Sequence, residues 1–433
     1  MIKTKYATVP YVLHKKAGTN SVKEIVFEVE TIENPNVTAL QEIDCELAVI
    51  LDVSGSMRGE PLDNCIKAVC EIVDNLPSSA IFHLIKYHTF ATKVFSGVMN
   101  SDNKATAKAL IEELQAQDMT NIVDGIVSAL ECICSPKNEK QTLNRRIFIF
   151  TDGEVNQGVH KTEDIFSVVR YIQTNFQINF TSFGLGAQFD QKLMKGIALE
   201  GKGDYFFIDG ALDISNKVLK GLSVFSTLYA INSRLHIHSV SSEYLSVSVA
   251  EVSGYHVASG SEVVSIPIGD ICYDDLRQVL LFINVTTKRE FSMEPVPIVR
   301  YGLDYDVVHA DGSVSKRIIE GEIAIEMTEE EDKMEKPDPL KVAVEIYNAN
   351  QVDKQILPLI AAGYYEEATA MKQKSLAALR SVLAIDKTEV VPHLIKIAES
   401  TISSLTSKKD KSSIQKDVGY SRHLGGIVHR KCF

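Results

Sequence analysis

Between Cys45 and about Tyr229 the chain alternates continuous apolar runs with amphipathic ones, and few folds accommodate that alternation. The run Leu47-Ala-Val-Ile-Leu51 ends in Asp-Val-Ser-Gly-Ser and is followed by a helical pattern from about Pro61 to Leu76. Strand patterns at Ile81–Lys86 and Lys93–Phe95 precede helical ones at Ala105–Leu114 and Asn121–Cys134. The most apolar strand, Arg146-Ile-Phe-Ile-Phe-Thr-Asp152, leads to a helix at Thr162–Thr174. Strand Ile178–Phe183, helix Asp190–Leu199, strand Tyr205–Ile208 and helix Leu212–Leu222 complete the series. Successive side chains of a strand point to opposite faces, so a strand that is apolar at every position is buried on both. Such strands separated by helices predict an α/β fold, a doubly wound and mostly parallel sheet, which binds ligands at the carboxyl ends of its strands.

The flanks carry a different period. Val22–Glu30 alternates, with Ile25, Phe27 and Val29 on one face and Glu24, Glu28 and Glu30 on or near the other. Downstream, Leu235-His-Ile-His238 and Leu245-Ser-Val-Ser-Val249 alternate likewise. Further strands are expected at Val263–Ile268, Val279–Val285, Val296–Tyr301, Ser315–Ile319 and Ile323–Met327. Period-two strands of this length predict an antiparallel β-sandwich, and strands on both sides of the α/β stretch imply that it is inserted into the sandwich. The expected organisation is sandwich strands in residues 1–43, the α/β domain in 44–229 and the rest of the sandwich in 230–328. An acidic linker (329–339), a helical region (340–405) and a basic tail (406–433) that its Lys, Ser and Gly content predicts to be disordered would follow. Within the helical region the patterns are Leu340–Ala349, Gln351–Ala362, Tyr365–Ile385 and Glu389–Leu405, with Gly363 as a turn.

Composition narrows the function. The net charge of −12 over 433 residues argues against a general nucleic-acid binder, which needs a basic face. Seven cysteines, an odd number without regular spacing, do not form a disulfide framework. The Cys132-x-Cys134 pair has no companion at zinc-ligand spacing. The first residues lack the apolar core of a signal peptide and no run of about 18 apolar residues occurs, so the expectation is a cytoplasmic protein without a membrane span.

The chemistry concentrates where the first apolar strand ends. Asp52, Ser54 and Ser56 place three side-chain oxygens along a tight turn, at which Gly55 is expected to supply an unusual backbone. A small hard cation takes about six oxygens and few protein charges, a demand that one carboxylate and two hydroxyls suit. Thr120, just ahead of the helix from Asn121, and Asp152, at the end of the long apolar strand, should converge on the same sheet edge. These segments, Asp-x-Ser-x-Ser, Thr and Thr-Asp-Gly, resemble the metal-ion-dependent adhesion site of von Willebrand factor A (VWA) domains, and all five residues match. The resemblance implies that the serines and the threonine ligate Mg²⁺, with Mn²⁺ or Ca²⁺ as alternatives. The aspartates would act through water, and an Asp or Glu of a protein partner would complete the coordination. The stretch from Val263 to Leu281, with Ile268-Gly-Asp-Ile-Cys-Tyr-Asp-Asp-Leu-Arg-Gln-Val-Leu280, resembles the region after the A domain in bacterial and plant relatives. The plant proteins carry a RING finger, which has no counterpart before Cys45; inter-α-trypsin inhibitor heavy chains share the sandwich-plus-A-domain layout.

Enzymatic readings find little support. A phosphatase of the haloacid dehalogenase type needs a second Asp where Ser54 stands. Gly184-Leu-Gly186 lacks the third glycine of a dinucleotide loop, and no Gly-x-Ser-x-Gly elbow exists. His236 and His238 alternate with Leu235 and Ile237 as on a solvated sheet face. The sequence therefore predicts no enzyme but a cytoplasmic adaptor that captures an acidic side chain of a protein partner through Mg²⁺. The competing reading is a non-catalytic scaffold subunit of a ubiquitin-ligase or AAA+ ATPase complex.

Overall fold

The computed structural model describes residues 2–8, 11–12, 18, 20–31, 45–117, 119–134, 144–152, 155–185, 190–208, 214–253, 257, 263–273, 275–288, 295–309, 314–325, 327–328, 335–388, 390–407, 414, 418 and 429–430. The chain divides into two compact units. One comprises Met1–Pro35, Tyr229–Val308 and Val314–Phe433, the other Asn36–Leu228 with His309–Ser313. The second unit is thus inserted, in chain order, between strands of the first.

The first unit begins with strands β1 (Ile2–Thr8), β2 (Tyr11–Val12) and β3 (Asn20–Thr31). The inserted unit then contributes strands β4 (Cys45–Asp52), β5 (Ile81–Tyr87), β6 (Ala91–Val98), β7 (Asn144–Thr151), β8 (Asn179–Leu185) and β9 (Tyr205–Ile208). Its helices are α1 (Glu60–Asn75), α2 (Ser101–Glu112), α3 (Ile122–Ile133), α4 (Thr162–Phe176), α5 (Gln191–Glu200) and α6 (Ile214–Thr227). The sheet runs β6-β5-β4-β7-β8-β9; every pair is parallel except the β5–β6 hairpin. This is the doubly wound sheet that the apolar runs predict. All eight residues of β4 are buried, because helices cover both of its faces. Leu47, Val49 and Leu51 join Cys65, Val69 and Ile72 of α1 in one core, which continues through Phe148, Phe150 and Phe183 to Val218 of α6. The Phe150 and Phe183 rings stack at 4.4 Å between centroids.

The first unit resumes with β10 (Leu228–Ser239), β11 (Leu245–Val252), β12 (Val263–Cys272), β13 (Leu276–Thr287), β14 (Val296–Val308), β15 (Val314–Ile325) and β16 (Met327–Thr328). Two antiparallel sheets, β1-β3-β13-β11 and β12-β10-β14-β15, enclose a core that includes Ile25, Phe27, Val29, Leu235, Ile237, Leu281, Ile283, Leu303 and Ile323. Helix α7 (Asp338–Ala362) covers the outer face of the first sheet, packing Leu340, Ala343 and Val344 on Val26 and Leu280. Tyr347 lies against Phe282, 4.7 Å between ring centroids, and its hydroxyl donates to the Glu251 carboxylate. Helices α8 (Tyr365–Val382) and α9 (Val390–Thr406) follow. Between α7 and α8, Lys372 and Asp353 form an ion pair with both side chains fully buried.

The run from Ile268 to Leu280 turns a corner between the sheets. The Arg277 guanidinium donates to the carbonyls of Ile268 and Asp270 and to the Asp275 carboxylate, while Thr31 and Asp275 exchange hydrogen bonds across the corner.

Several elements depart from expectation. Ser315–Ile319 and Ile323–Met327 belong mainly to the single strand β15, which crosses Gly321 because the Tyr301 ring of β14 fills the space that a side chain there would need. Leu340–Ala349 and Gln351–Ala362 are one helix; Pro358 lies inside it, and it ends at Gly363, whose φ of 87° closes the turn. β1 has no counterpart among the expected strands, since its alternation is weak and it gains its pairing from β3. Within the tail, expected to be disordered, some residues pack on the first unit. Ile414 and Val418 are buried beside Ile356 and Ile360, and His429–Arg430 forms β17, paired with Arg277 and Gln278 of β13. Most of the remaining tail, including Lys408, Lys409, Lys411, Lys416, Arg422 and Lys431, lies outside the described residues, as does 329–334 of the acidic linker.

Candidate metal centre

Strand register brings the first carboxylate to its place. Asp52 ends β4 opposite Tyr87 of β5, and Leu51 pairs with Phe150 of β7, which sets Thr151 beside Asp52. The Thr151 hydroxyl donates to Asp52 Oδ2 at 2.6 Å, and the Tyr87 hydroxyl reaches the same oxygen at 3.4 Å. Asp52 Oδ1 accepts the Ser54 N–H at 2.8 Å, a local bond that bends the chain as it leaves the sheet. A 3-10 turn over Gly55–Met57 then brings the Ser54 and Ser56 hydroxyls to 3.1 Å from each other. The left-handed backbone falls at Gly59 (φ 85°), not at Gly55, because a 3-10 turn uses ordinary right-handed dihedrals. Gly59 caps α1, whose first turn carries Glu60 and Asp63 as the helix dipole favours.

Thr120 and Asp152 reach the site on two other loops. Gln117 donates from its backbone to Val53 O at 2.6 Å, which ties the loop before α3 to the Asp52–Ser56 segment. The Thr120 N–H donates to the Asn156 side chain at 2.8 Å, and the Thr120 carbonyl accepts from the N–H groups of Asn156 (3.2 Å) and Gln157 (3.1 Å). Three bonds thus clasp the Thr120 loop to the loop that follows Asp152. Asp152 in turn accepts, on its carbonyl, the Asp190 N–H at 2.8 Å, which fixes it to the start of α5. Asp52, Ser54, Thr120 and Asp152 are buried, whereas Ser56 is exposed and marks the open side.

The electrostatics fit a cation. Burial pushes the Asp52 carboxyl up to about 6, the hydrogen bond from Thr151 partly offsets this, and the charge of Asp152 adds to it. Burial and then the Asp52 charge likewise hold the Tyr87 phenol well above its usual range, and burial with both aspartates does the same to Cys65. The charges of Asp52 and Asp152 act on each other, and the Ser54 and Ser56 hydroxyls lie beside Asp52 in the same turn, oxygen groups of the kind hard divalent ions take. Among the described residues no group of three or more His, Cys, Asp or Glu is placed to hold a metal.

Asp52 at the end of β4 and Ser54, Ser56, Thr120 and Asp152 on the loops lie at the same strand-end edge of the sheet, while Gly153 of the Thr-Asp-Gly segment lies outside the described residues. Sequence reasoning missed the side chains that hold them. Thr151 and Tyr87 are recoverable only once the strands are in register, and Asn156 carries no local signal at all. His236, expected on a solvated face, lies 2.6 Å from Asp304 on the sandwich and takes no part.

A family profile described as "von Willebrand factor type A domain" matches residues 45–207. The inserted unit is a VWA domain. An uncharacterised protein of Synechocystis is 24% identical over 247 residues, 56% of this chain and 57% of that protein. Inter-alpha-trypsin inhibitor heavy chain H3 of Rattus norvegicus is 26% identical over 163 residues, 36% of this chain but 18% of the heavy chain. The matched stretch thus spans little more than half of the first relative and under a fifth of the second. Among solved structures, a von Willebrand factor type A protein from Catenulispora acidiphila shares the fold with a TM-score of 0.69, 14% identity and coverage of 98% of this chain and 96% of that one. VWA domains are protein-interaction modules, and most are not catalytic. Among the described residues no helix is long and apolar enough to cross a membrane.

Proposed function

We propose that the VWA domain of this chain is a metal-dependent adaptor. It holds Mg²⁺, or Mn²⁺ or Ca²⁺ in its place, through Asp52, Ser54, Ser56, Thr120 and Asp152, and so binds an acidic side chain of a protein partner. The observation that carries the reading is the buried, charge-strained Asp52, whose hydrogen-bond partners are neutral donors and whose charged neighbour is a second carboxylate. A bound ion would supply a Lewis-acidic position able to accept a carboxylate oxygen. Ser54 and Ser56 offer hydroxyl oxygens to such an ion, Asp52 and Asp152 offset its charge, and the clasp between Thr120 and Asn156 holds the third hydroxyl loop in place. Few protein charges leave the site short of negative charge, which is why an acidic group of the partner fits it. The role we read for this set is binding, in a cytoplasmic setting, rather than catalysis.

The test is titration calorimetry with Mg²⁺ and Mn²⁺ on the whole chain, followed by affinity capture in Mg²⁺ and in EDTA. The wild type should bind one ion and Asp52→Ala none, and captured partners should be lost in both Asp52→Ala and EDTA. Partner lists identical in all conditions would exclude the metal-dependent reading.

A further inference from the structure

Three large apolar side chains stand in solvent on the loops around the site: Phe90 (69% exposed), Met119 (40%) and Val159 (39%). Each belongs to a backbone held firmly to the Thr120–Asn121 segment. Phe90 lies in the turn between β5 and β6. There the His88 carbonyl accepts the Asn121 N–H at 2.8 Å, the Thr89 carbonyl accepts from the Asn121 side chain at 3.5 Å, and the Ala91 N–H donates to Asp124 at 2.6 Å. Met119 immediately precedes Thr120. Val159 follows Gly158, whose φ of 65° lets the backbone lie so close to Asn121 that a Cβ would come within 2.6 Å of Asn121 Oδ1. Asn121 is therefore a joint for three loops, and its own Oδ1 also caps α3 by accepting the Asp124 N–H at 3.3 Å. A turn fixed at His88, Thr89 and Ala91, on both sides of Phe90, with that one large apolar side chain outside, is rigid presentation and not a failure of packing.

We infer that Phe90, Met119 and Val159 form an apolar rim around the cation, so that the partner segment this domain accepts carries a bulky apolar side chain next to its acidic one. The inference rests on the metal-dependent reading and adds the partner's chemistry to it. The acidic group would satisfy the charge at the ion; the neighbouring apolar group would cover the exposed rim and remove it from water. A carboxylate alone would leave all three side chains in solvent. The same rim predicts discrimination, since an acidic segment flanked by Ser or Gly gains the ion contact only.

The test uses synthetic twelve-residue peptides of Gly and Ser with one central Glu, with or without Phe or Leu at the two positions on either side, bound to the whole chain in Mg²⁺ and in EDTA. The expected result is binding that needs Mg²⁺ and is roughly tenfold tighter for the apolar-flanked peptides. Phe90→Ser should abolish that tenfold preference while Mg²⁺ binding by calorimetry and the melting temperature stay unchanged. Equal, Mg²⁺-dependent affinity for flanked and unflanked peptides would overturn the rim and leave the metal-dependent reading standing. Binding that survives EDTA, or no peptide binding by a chain that has taken up Mg²⁺, would overturn both.

Discussion

At Asp52 burial of a carboxylate beside a second one has a consequence for stability. A carboxyl held near 6 in the folded chain binds its proton more tightly than in the unfolded one, where it titrates near 4. Its penalty on stability is therefore absent below about pH 4, grows as pH rises toward 6, and is complete above that. Asp52→Asn should raise the stability of the metal-free chain at pH 7 by about 1–3 kcal/mol, seen as a higher melting temperature, and should make no such difference at pH 4. Mg²⁺ should stabilise the wild type at pH 7 and lose much of that effect at pH 5, where protons compete for the same oxygens. A thermal-shift series over pH with and without Mg²⁺ measures all of this, and an Asp52→Asn chain less stable than wild type at pH 7 in EDTA would contradict it. At Asn121 the expectation differs. Asn121→Ala removes the joint between three loops, so hydrogen exchange should quicken in 88–91 and 156–160 while β4 and β7 stay protected.

Elements are held by a few buried polar anchors. Lys372 and Asp353 lie fully buried between α7 and α8, where neither charge is tolerable without the other. Lys372→Met alone should cost about 3–5 kcal/mol, and Lys372→Met with Asp353→Leu should recover most of it; chemical denaturation followed by circular dichroism separates the two. Recovery by the single variant would show that Asp353 finds another partner. At the sandwich corner, Arg277 bridges the carbonyls of Ile268 and Asp270 to Asp275, which gives the run from Ile268 to Leu280 a structural reason. Arg277→Ala should speed exchange at Ile271, Cys272 and Asp275 and leave Mg²⁺ affinity as it was, because none of these residues belongs to the VWA domain.

Over the whole molecule there are separate hydrophobic cores, one in the VWA domain and another between the sandwich sheets. A ligand stabilises only the unit that binds it, by about 2.7 kcal/mol at a hundredfold excess over its Kd. Scanning calorimetry should therefore show a transition that Mg²⁺ moves and another that it does not. A single transition moving as a whole would mean that the units unfold together.

The apolar run Leu47–Leu51 and the strand from Arg146, alternating with helical patterns, pointed to a parallel sheet covered on both faces; the run alone does not decide it, since antiparallel β13 is buried at six successive positions under α7. The convergence of Asp52, Ser54, Ser56, Thr120 and Asp152 on one edge of the sheet was likewise legible, because segments at strand carboxyl ends converge; that they hold a cation remains our proposal. Other features were not legible. Thr151 and Tyr87 touch Asp52 only through the register of three strands, and Asn156 and Asn121 act through loops more than thirty residues apart. β1 and β17 take their form from the strands they pair with, and β15 runs through Gly321 because Tyr301 lies across it. Local sequence sets which faces are apolar and where a strand must end; which side chains then meet across those ends depends on pairing between distant segments, and only the tertiary structure decides that.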